Sequence, residues 1–222
     1  MLEVSHFSLT KRGMTTGREQ EAAVLPTPAE DATTRTRGPY GICWDLGDVI
    51  FSEDTEVKSP EGLTLEVVLI PGIGDLLRSL AERGIPMAIV SDTRDGACEN
   101  VLDPHGLKTY FAHWTISELL GVEKPHEAMF VTTSEALGIP LSRLAMVGNH
   151  YYRDIEGAKR VGMTTFWFRW NHRYPYPDEA PAADYIVSDA SELAAAIDDW
   201  ISSVEALRPS GRPRQAPRSL AP

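Results

Sequence analysis

The sequence predicts an α/β domain built on a mainly parallel central sheet with helices on both faces. Short apolar runs alternate along the chain with segments of helical periodicity, as strands joined by crossover helices do. Two of the runs, IPMAIV and TTFWFRW, are apolar enough to be buried strands. Polar residues gather directly after several runs, where an open parallel sheet keeps its crevice.

The elements follow in order. Ile42–Trp44 opens as a strand. PGIGDLLRSLAERG is a helix with Ile73, Leu76, Leu77 and Leu80 on one face, Pro71 at its entry and Gly84 at its exit. IPMAIV is the next strand, DGACENVLDPHG a short helix, and HWTISELLG holds another short strand. HEAMFVTTSEALG is a helix with Ala128, Met129, Val131 and Leu137 largely on one side. RLAMVG is a strand, DIEGAKRVG a helix opened by Asp154, and TTFWFRW a strand. DYIVSD is the last strand, and SELAAAIDDWISSVEAL a helix capped near Ser191 and Glu192.

Composition narrows the class. The 222 residues fit one domain at 39–207 between two tails. Residues 1–38 lack sustained periodicity and read as disordered. Residues 208–222 carry four arginines and four prolines with no acid, and read the same way. No apolar run reaches the ~18 residues of a membrane span, and the N-terminal stretch has no apolar leader core. Cys43 and Cys98 are too few for a disulfide framework, so reduced thiols and a cytoplasmic setting are expected. A net charge of −11 argues against nonspecific binding to nucleic acid or acidic membranes.

The candidate chemistry lies after the strands. Asp45 follows the first, Ser91, Asp92 and Thr93 follow IPMAIV, and Asn149 follows RLAMVG. Lys124 precedes the helix before that strand, and Asp154 begins the next helix. Each alone has an ordinary explanation, as a turn cap, a helix cap or a solvated charge. Together they put a carboxylate, a hydroxyl, a lysine and a carboxamide at the mouth of one crevice.

The segments WDLGDVIF, IVSDT, GVEKPHEAMF and MVGNHYYRDIEGAKRVGM, in this order, resemble the haloacid dehalogenase (HAD) superfamily of phosphatases over roughly residues 40–205. The resemblance implies a Rossmann-like three-layer sandwich. It implies that Asp45 attacks phosphorus and becomes an aspartyl-phosphate. It further implies Mg2+ held by Asp45, the Gly47 carbonyl, Asn149 and Asp154, the ion offsetting repulsion between carboxylate and phosphate. Lys124 would add fixed positive charge beside the nucleophile, while Ser91, Thr93 and the main chain at Asp92 would hold the phosphate.

Two positions depart from the family pattern. Gly47 stands where an aspartate normally serves as general acid and base, a role worth about 10²–10⁴-fold in rate. Its neighbour Asp48 points away if the segment is extended, leaving His150 or water to assist. Asn149 stands where an aspartate usually binds metal, which keeps an oxygen donor but removes a charge. Asp45 and Ser91 are 46 positions apart, and Asp92 and Lys124 only 32, too few for a large cap in either interval. A minimal cap and an open site follow, and the metal-independent dehalogenases, which carry a helical cap, fit poorly. The expected function is a Mg2+-dependent phosphatase for a small or macromolecular phosphate ester, with a homodimer open. The alternative is a catalytically silent HAD-fold binding or regulatory protein.

Other segments have bland and functional readings side by side. SEDTEV is a solvated hairpin in preference to a flap over the site. Tyr151 and Tyr152 suit packing and substrate contact equally, and Arg94 suits a surface ion pair more than an anion contact. The aromatic and basic residues of TTFWFRWNHRYPYP are core packing first and a nucleic-acid platform second, with Trp170, His172 and Tyr174 in a loop.

Overall fold

The computed structural model describes residues 40–207 except 176 and 178; the expected tails at 1–38 and 208–222 lie outside the described residues. A six-stranded sheet runs β5 (Phe111–Ile116), β4 (Met87–Ser91), β1 (Gly41–Trp44), β6 (Leu144–Gly148), β7 (Thr164–Phe168) and β8 (Tyr185–Val187). Every pairing in it is parallel. A two-stranded antiparallel hairpin, β2 (Val57–Lys58) and β3 (Thr64–Glu66), stands outside it.

The strands separate two apolar layers by simple alternation. Ile42 and Trp44 of β1, Met87 and Ile89 of β4, and Phe166 and Phe168 of β7 face one layer. Cys43, Ala88, Val90 and Met146 face the other. The first layer is covered by α1 (Ile73–Glu82), α2 (Ala97–Leu102) and α6 (Ala190–Ala206), and the second by α4 (Glu127–Leu137) and α5 (Glu156–Arg160). Helix α3 (Ser117–Leu120) is a single turn after β5.

Helix α1 buries Ile73, Leu76, Leu77 and Leu80, the predicted stripe. In α4 the stripe is Met129, Phe130, Thr133 and Leu137, while Ala128 and Val131 are only half-buried. Burying Thr133 is tolerable because its hydroxyl bonds both Met129 O and Thr115 Oγ1. The cap of α6 is Asp189, whose carboxylate accepts from Ser191 N and Glu192 N at 2.8 and 2.9 Å. Ser191 and Glu192 therefore supply the orphan amides of the first turn. The aromatic strand β7 is core on both faces, as its pattern predicts.

No helix among the described residues is long and apolar enough to cross a membrane. Both cysteines are fully buried, and burial pushes the Cys43 thiol up to about 12 and raises that of Cys98 as well. Neither should react with a thiol reagent in the folded protein at pH 8, whereas both should react in denaturant; mass spectrometry of the alkylated chain checks this.

Candidate active site

The site lies at the carboxyl ends of β1, β4 and β6, the open end of the sheet. Asp45 leaves β1 with its amide donating to Val147 O at 3.0 Å, which holds it beside β6. The chain then turns sharply, with Ile50 N donating to Leu46 O at 2.8 Å. A pocket of about 690 Å³ opens here, lined by Asp45, Gly47, Ser91, Thr93, Lys124 and Asn149 among others. Asp92 and Asp154 line it as well, so every candidate site residue from the sequence meets in one cavity.

At its floor is a buried charge cluster. Lys124 Nζ stands 2.8 Å from Asp45 Oδ1 and 2.8 Å from Asp154 Oδ1, with the lysine and Asp154 side chains each 1% exposed. Burial disfavours the ammonium, but Asp154, Asp45 and Asp92 outweigh it and raise its pKa, so Lys124 is charged. Burial raises the Asp154 carboxyl, against the counter-pull of Lys124. Its Oδ2 accepts from His150 N at 2.9 Å.

Asp154 does not open a helix. It sits in a single π-helical turn, Tyr151–Ile155, that precedes α5 and is capped by His150 Nδ1 accepting from Arg153 N. A π turn carries an extra residue, and here it swings the Asp154 carboxylate back against the end of β6. The approach is possible because residue 148 is glycine. A Cβ there would stand 2.5 Å from both Cγ and Oδ2 of Asp154. Farther along the helix, a Cβ at Gly157 would meet Pro125 at 2.9 Å and the Phe130 ring at 3.0 Å.

The phosphate-turn candidates take different parts. Ser91 is buried at the end of β4, and Thr93 is held through its carbonyl by Ser117 Oγ and Glu118 N. The Asp92 carboxylate accepts from Lys124 N at 2.8 Å and faces Arg153 at 3.5 Å. It thus fixes the lysine backbone, a task the sequence does not disclose. Arg94 lines the pocket rim and faces Glu118 at 3.8 Å.

The segment after Asp45 differs from expectation. It is a turn, not an extended run, and Asp48 within it has φ 50° and is completely buried. Its carboxylate pairs with Arg173 and accepts from Glu53 N, and its carbonyl accepts from Trp170 Nε1. Asp48 is therefore unavailable to the crevice, for a reason other than strand alternation. SEDTEV is not merely a solvated hairpin either: Glu53 and Glu56 line the pocket, as do Lys58 and Thr64 of the β2–β3 hairpin. Arg173 reaches across to Asp48, Glu53 and Asp54 and straps this wall down. Nothing in the local sequence marks Arg173, since its partners lie more than 100 positions away.

Tyr151 is core, packed on Trp167 with its hydroxyl accepting from Ala182 N, whereas Tyr152 is exposed. Tyr174 lines the pocket and packs on His150 with ring centroids 4.5 Å apart. Burial, with Arg153 and Lys124, lowers the His150 pKa, so the ring is neutral at pH 7. Because Nδ1 accepts from Arg153 N, its proton is on Nε2.

Among the described residues no group of three or more His, Cys, Asp or Glu is placed to hold a metal. The donor set is instead two carboxylates, Asp45 and Asp154, with the Asn149 carboxamide and the main chain at Gly47, all lining the pocket. The Asn149 Nδ2 is buried without a hydrogen-bond partner among the described residues. Asp154 Oδ1 has only the ion pair to Lys124, outside hydrogen-bond geometry. Two carboxylates and two carbonyl oxygens, the Asn149 carboxamide offering its Oδ1, make an all-oxygen donor set that fits a hard divalent cation.

The family model of the haloacid dehalogenase-like hydrolases matches residues 18–162, and the chain belongs to that family. It is 31% identical over 145 residues to a glyceraldehyde 3-phosphate phosphatase of Pyrococcus furiosus, covering 64% of this chain and 60% of the relative. The chain spans 50–60% of the length of the curated relatives it matches first. Its fold matches an uncharacterized protein from Listeria monocytogenes at TM-score 0.61 and 27% identity, over 76% of this chain and 99% of that one. A HAD phosphatase from Thermococcus onnurineus matches at TM-score 0.53 and 28% identity, over 59% of each chain.

Proposed function

We propose that this chain is a Mg2+-dependent phosphoric monoester hydrolase that works through an aspartyl-phosphate on Asp45. The observation that carries the reading is the Lys124 ammonium held 2.8 Å from both Asp45 and Asp154 on the floor of a polar pocket. The phosphatase names of the relatives support it.

Asp45 is the nucleophile, aimed into the pocket by its amide bond to β6. Lys124 orients that carboxylate and presents positive charge where phosphoryl oxygens gather. Ser91 and the main chain of Asp92 and Thr93 receive the phosphate, while Asp92 itself anchors the lysine. Asp45, Asp154, Asn149 and the Gly47 carbonyl would hold Mg2+, which neutralises phosphate charge when bound. The substrate is a phosphate ester small enough for, or projecting into, a pocket of about 690 Å³.

The test is hydrolysis of an activated aryl phosphate with Mg2+ and with chelator, beside Asp45→Asn. Turnover should require Mg2+ and disappear in the variant. The reading of a silent binding module draws on one observation, the two neutral residues Gly47 and Asn149 in the acidic constellation. It would be upheld if wild type and Asp45→Asn were equally inactive at high Mg2+.

A further inference from the structure

We propose that Glu53 is the general acid and base of the reaction, delivered from the pocket wall into the space that Gly47 leaves empty. The proposal rests on the phosphatase reading and adds to it the proton carrier that position 47 lacks.

The geometry is specific. A Cβ built on Gly47 falls on the Glu53 carboxylate at Oε1, with Cγ and Cδ each 3.1 Å away. The Glu53 side chain thus enters the volume that a side chain at 47 would occupy, two residues after the nucleophile and facing the same pocket. It is held there from two sides. Its amide donates to Asp48 Oδ1 at 3.0 Å, fixing the short 3-10 turn Glu53–Thr55. Its Oε2 lies 3.2 Å from Arg173 Nε, which positions the carboxylate while Oε1 points at Gly47. The buried Asp48 is the anchor of both contacts, through its bonds to Glu53 N and Arg173. A glycine at 47 and a glutamate at 53 therefore form one arrangement, since a larger residue at 47 would collide with the glutamate.

The chemistry balances over two steps. As an Asp45 oxygen bonds to phosphorus, the ester P–O bond breaks and its electron pair goes to the leaving oxygen, which takes the proton of the Glu53 carboxyl and departs as an alcohol. The Glu53 carboxylate then removes a proton from water as the water oxygen bonds to phosphorus. The Asp45–phosphorus bond breaks, its electrons returning to the aspartate, and inorganic phosphate leaves with Glu53 protonated again.

Leaving-group dependence tests this, because a general acid matters little to a good leaving group and greatly to a poor one. We would compare kcat/KM of wild type and Glu53→Gln on nitrophenyl phosphate, on less activated aryl phosphates and on glycerol phosphate. The variant should lose about 10²–10⁴-fold on the alkyl ester and at most a few-fold on the nitrophenyl ester, with wild-type melting temperature. Gly47→Asp combined with Glu53→Ala should recover alkyl-ester turnover over Glu53→Ala alone, because it returns an acid to position 47 and frees the space for it. An unchanged leaving-group slope in Glu53→Gln, or an equal loss on every ester, would overturn the proposal while leaving the phosphatase intact. A steepened slope in His150→Gln but not in Glu53→Gln would transfer the role to the imidazole and also overturn it. Absence of any Asp45-dependent turnover in wild type would remove both this proposal and the phosphatase reading.

Discussion

Lys124→Met should lower the stability of the folded protein by about 3–5 kcal/mol, the usual cost of removing one partner from a buried ion pair. In a domain of this size that corresponds to a fall in melting temperature of roughly 6–20 °C. Methionine fills most of the volume, so the loss is electrostatic rather than a cavity effect. It leaves Asp45 and Asp154 facing each other without the ammonium that stands 2.8 Å from each. Asp154 is buried, and burial already raises its carboxyl against the pull of Lys124. Without the lysine its folded-state pKa rises further above the unfolded value. A carboxyl shifted in that direction is tolerated in its neutral form at low pH and costs stability as pH rises through the folded pKa. The gap between wild type and variant should therefore be smaller at pH 5 than at pH 8. Melting curves in chelator at the two pH values check this, and a gap that widens toward low pH would contradict the charge assignment. Hydrolysis by the variant should be lost at either pH.

Gly148→Ala should cost less stability but about a hundredfold in activity, although it adds only one methyl group. That methyl would stand 2.5 Å from Asp154 Cγ and Oδ2, closer than packed atoms come. The π-helical turn must then move outward and stretch the Asp154 ion pair with Lys124 and the hydrogen bond it accepts from His150 N. Overpacking of this kind costs about 1–3 kcal/mol. Misplacement of a catalytic group by about 1 Å lowers rate by about 10²-fold. The prediction is a modest fall in melting temperature and a hundredfold fall in kcat. Equal activity in both proteins would show that the turn yields without moving the carboxylate.

How much of this was legible in the sequence differs from element to element. The stripe Ile73, Leu76, Leu77 and Leu80 could be read directly, because an amphipathic helix writes its buried face at fixed intervals. The stripe of α4 departs from the predicted one, because its buried face includes Thr133, whose hydroxyl is satisfied only by partners in the fold. The cap of α6 is Asp189 rather than a residue near Ser191 and Glu192, because which of several neighbouring cap-forming residues serves depends on backbone angles. At the site, Asp45, Ser91, Asp92, Thr93 and Asn149 can be named from their places after strands, and Lys124 and Asp154 from their places beside the helices that flank β6. Their grouping follows from the rule that parallel strands present their carboxyl ends together.

Local sequence is enough to specify the alternation of strands and helices, the end of the sheet where the candidate residues gather and the residue types offered there. Those are local properties: periodicity, strand ends and short motifs. Long-range packing sets the rest: Asp92 anchors Lys124, Asp48 turns away to Arg173, and Glu53 enters the space beside Gly47. Arg173 meets Asp48 across 125 positions of chain, and Lys124 N meets Asp92 across 32. Pairings of that kind depend on where the whole sheet and its loops come to rest, and no pattern of neighbouring residues encodes them.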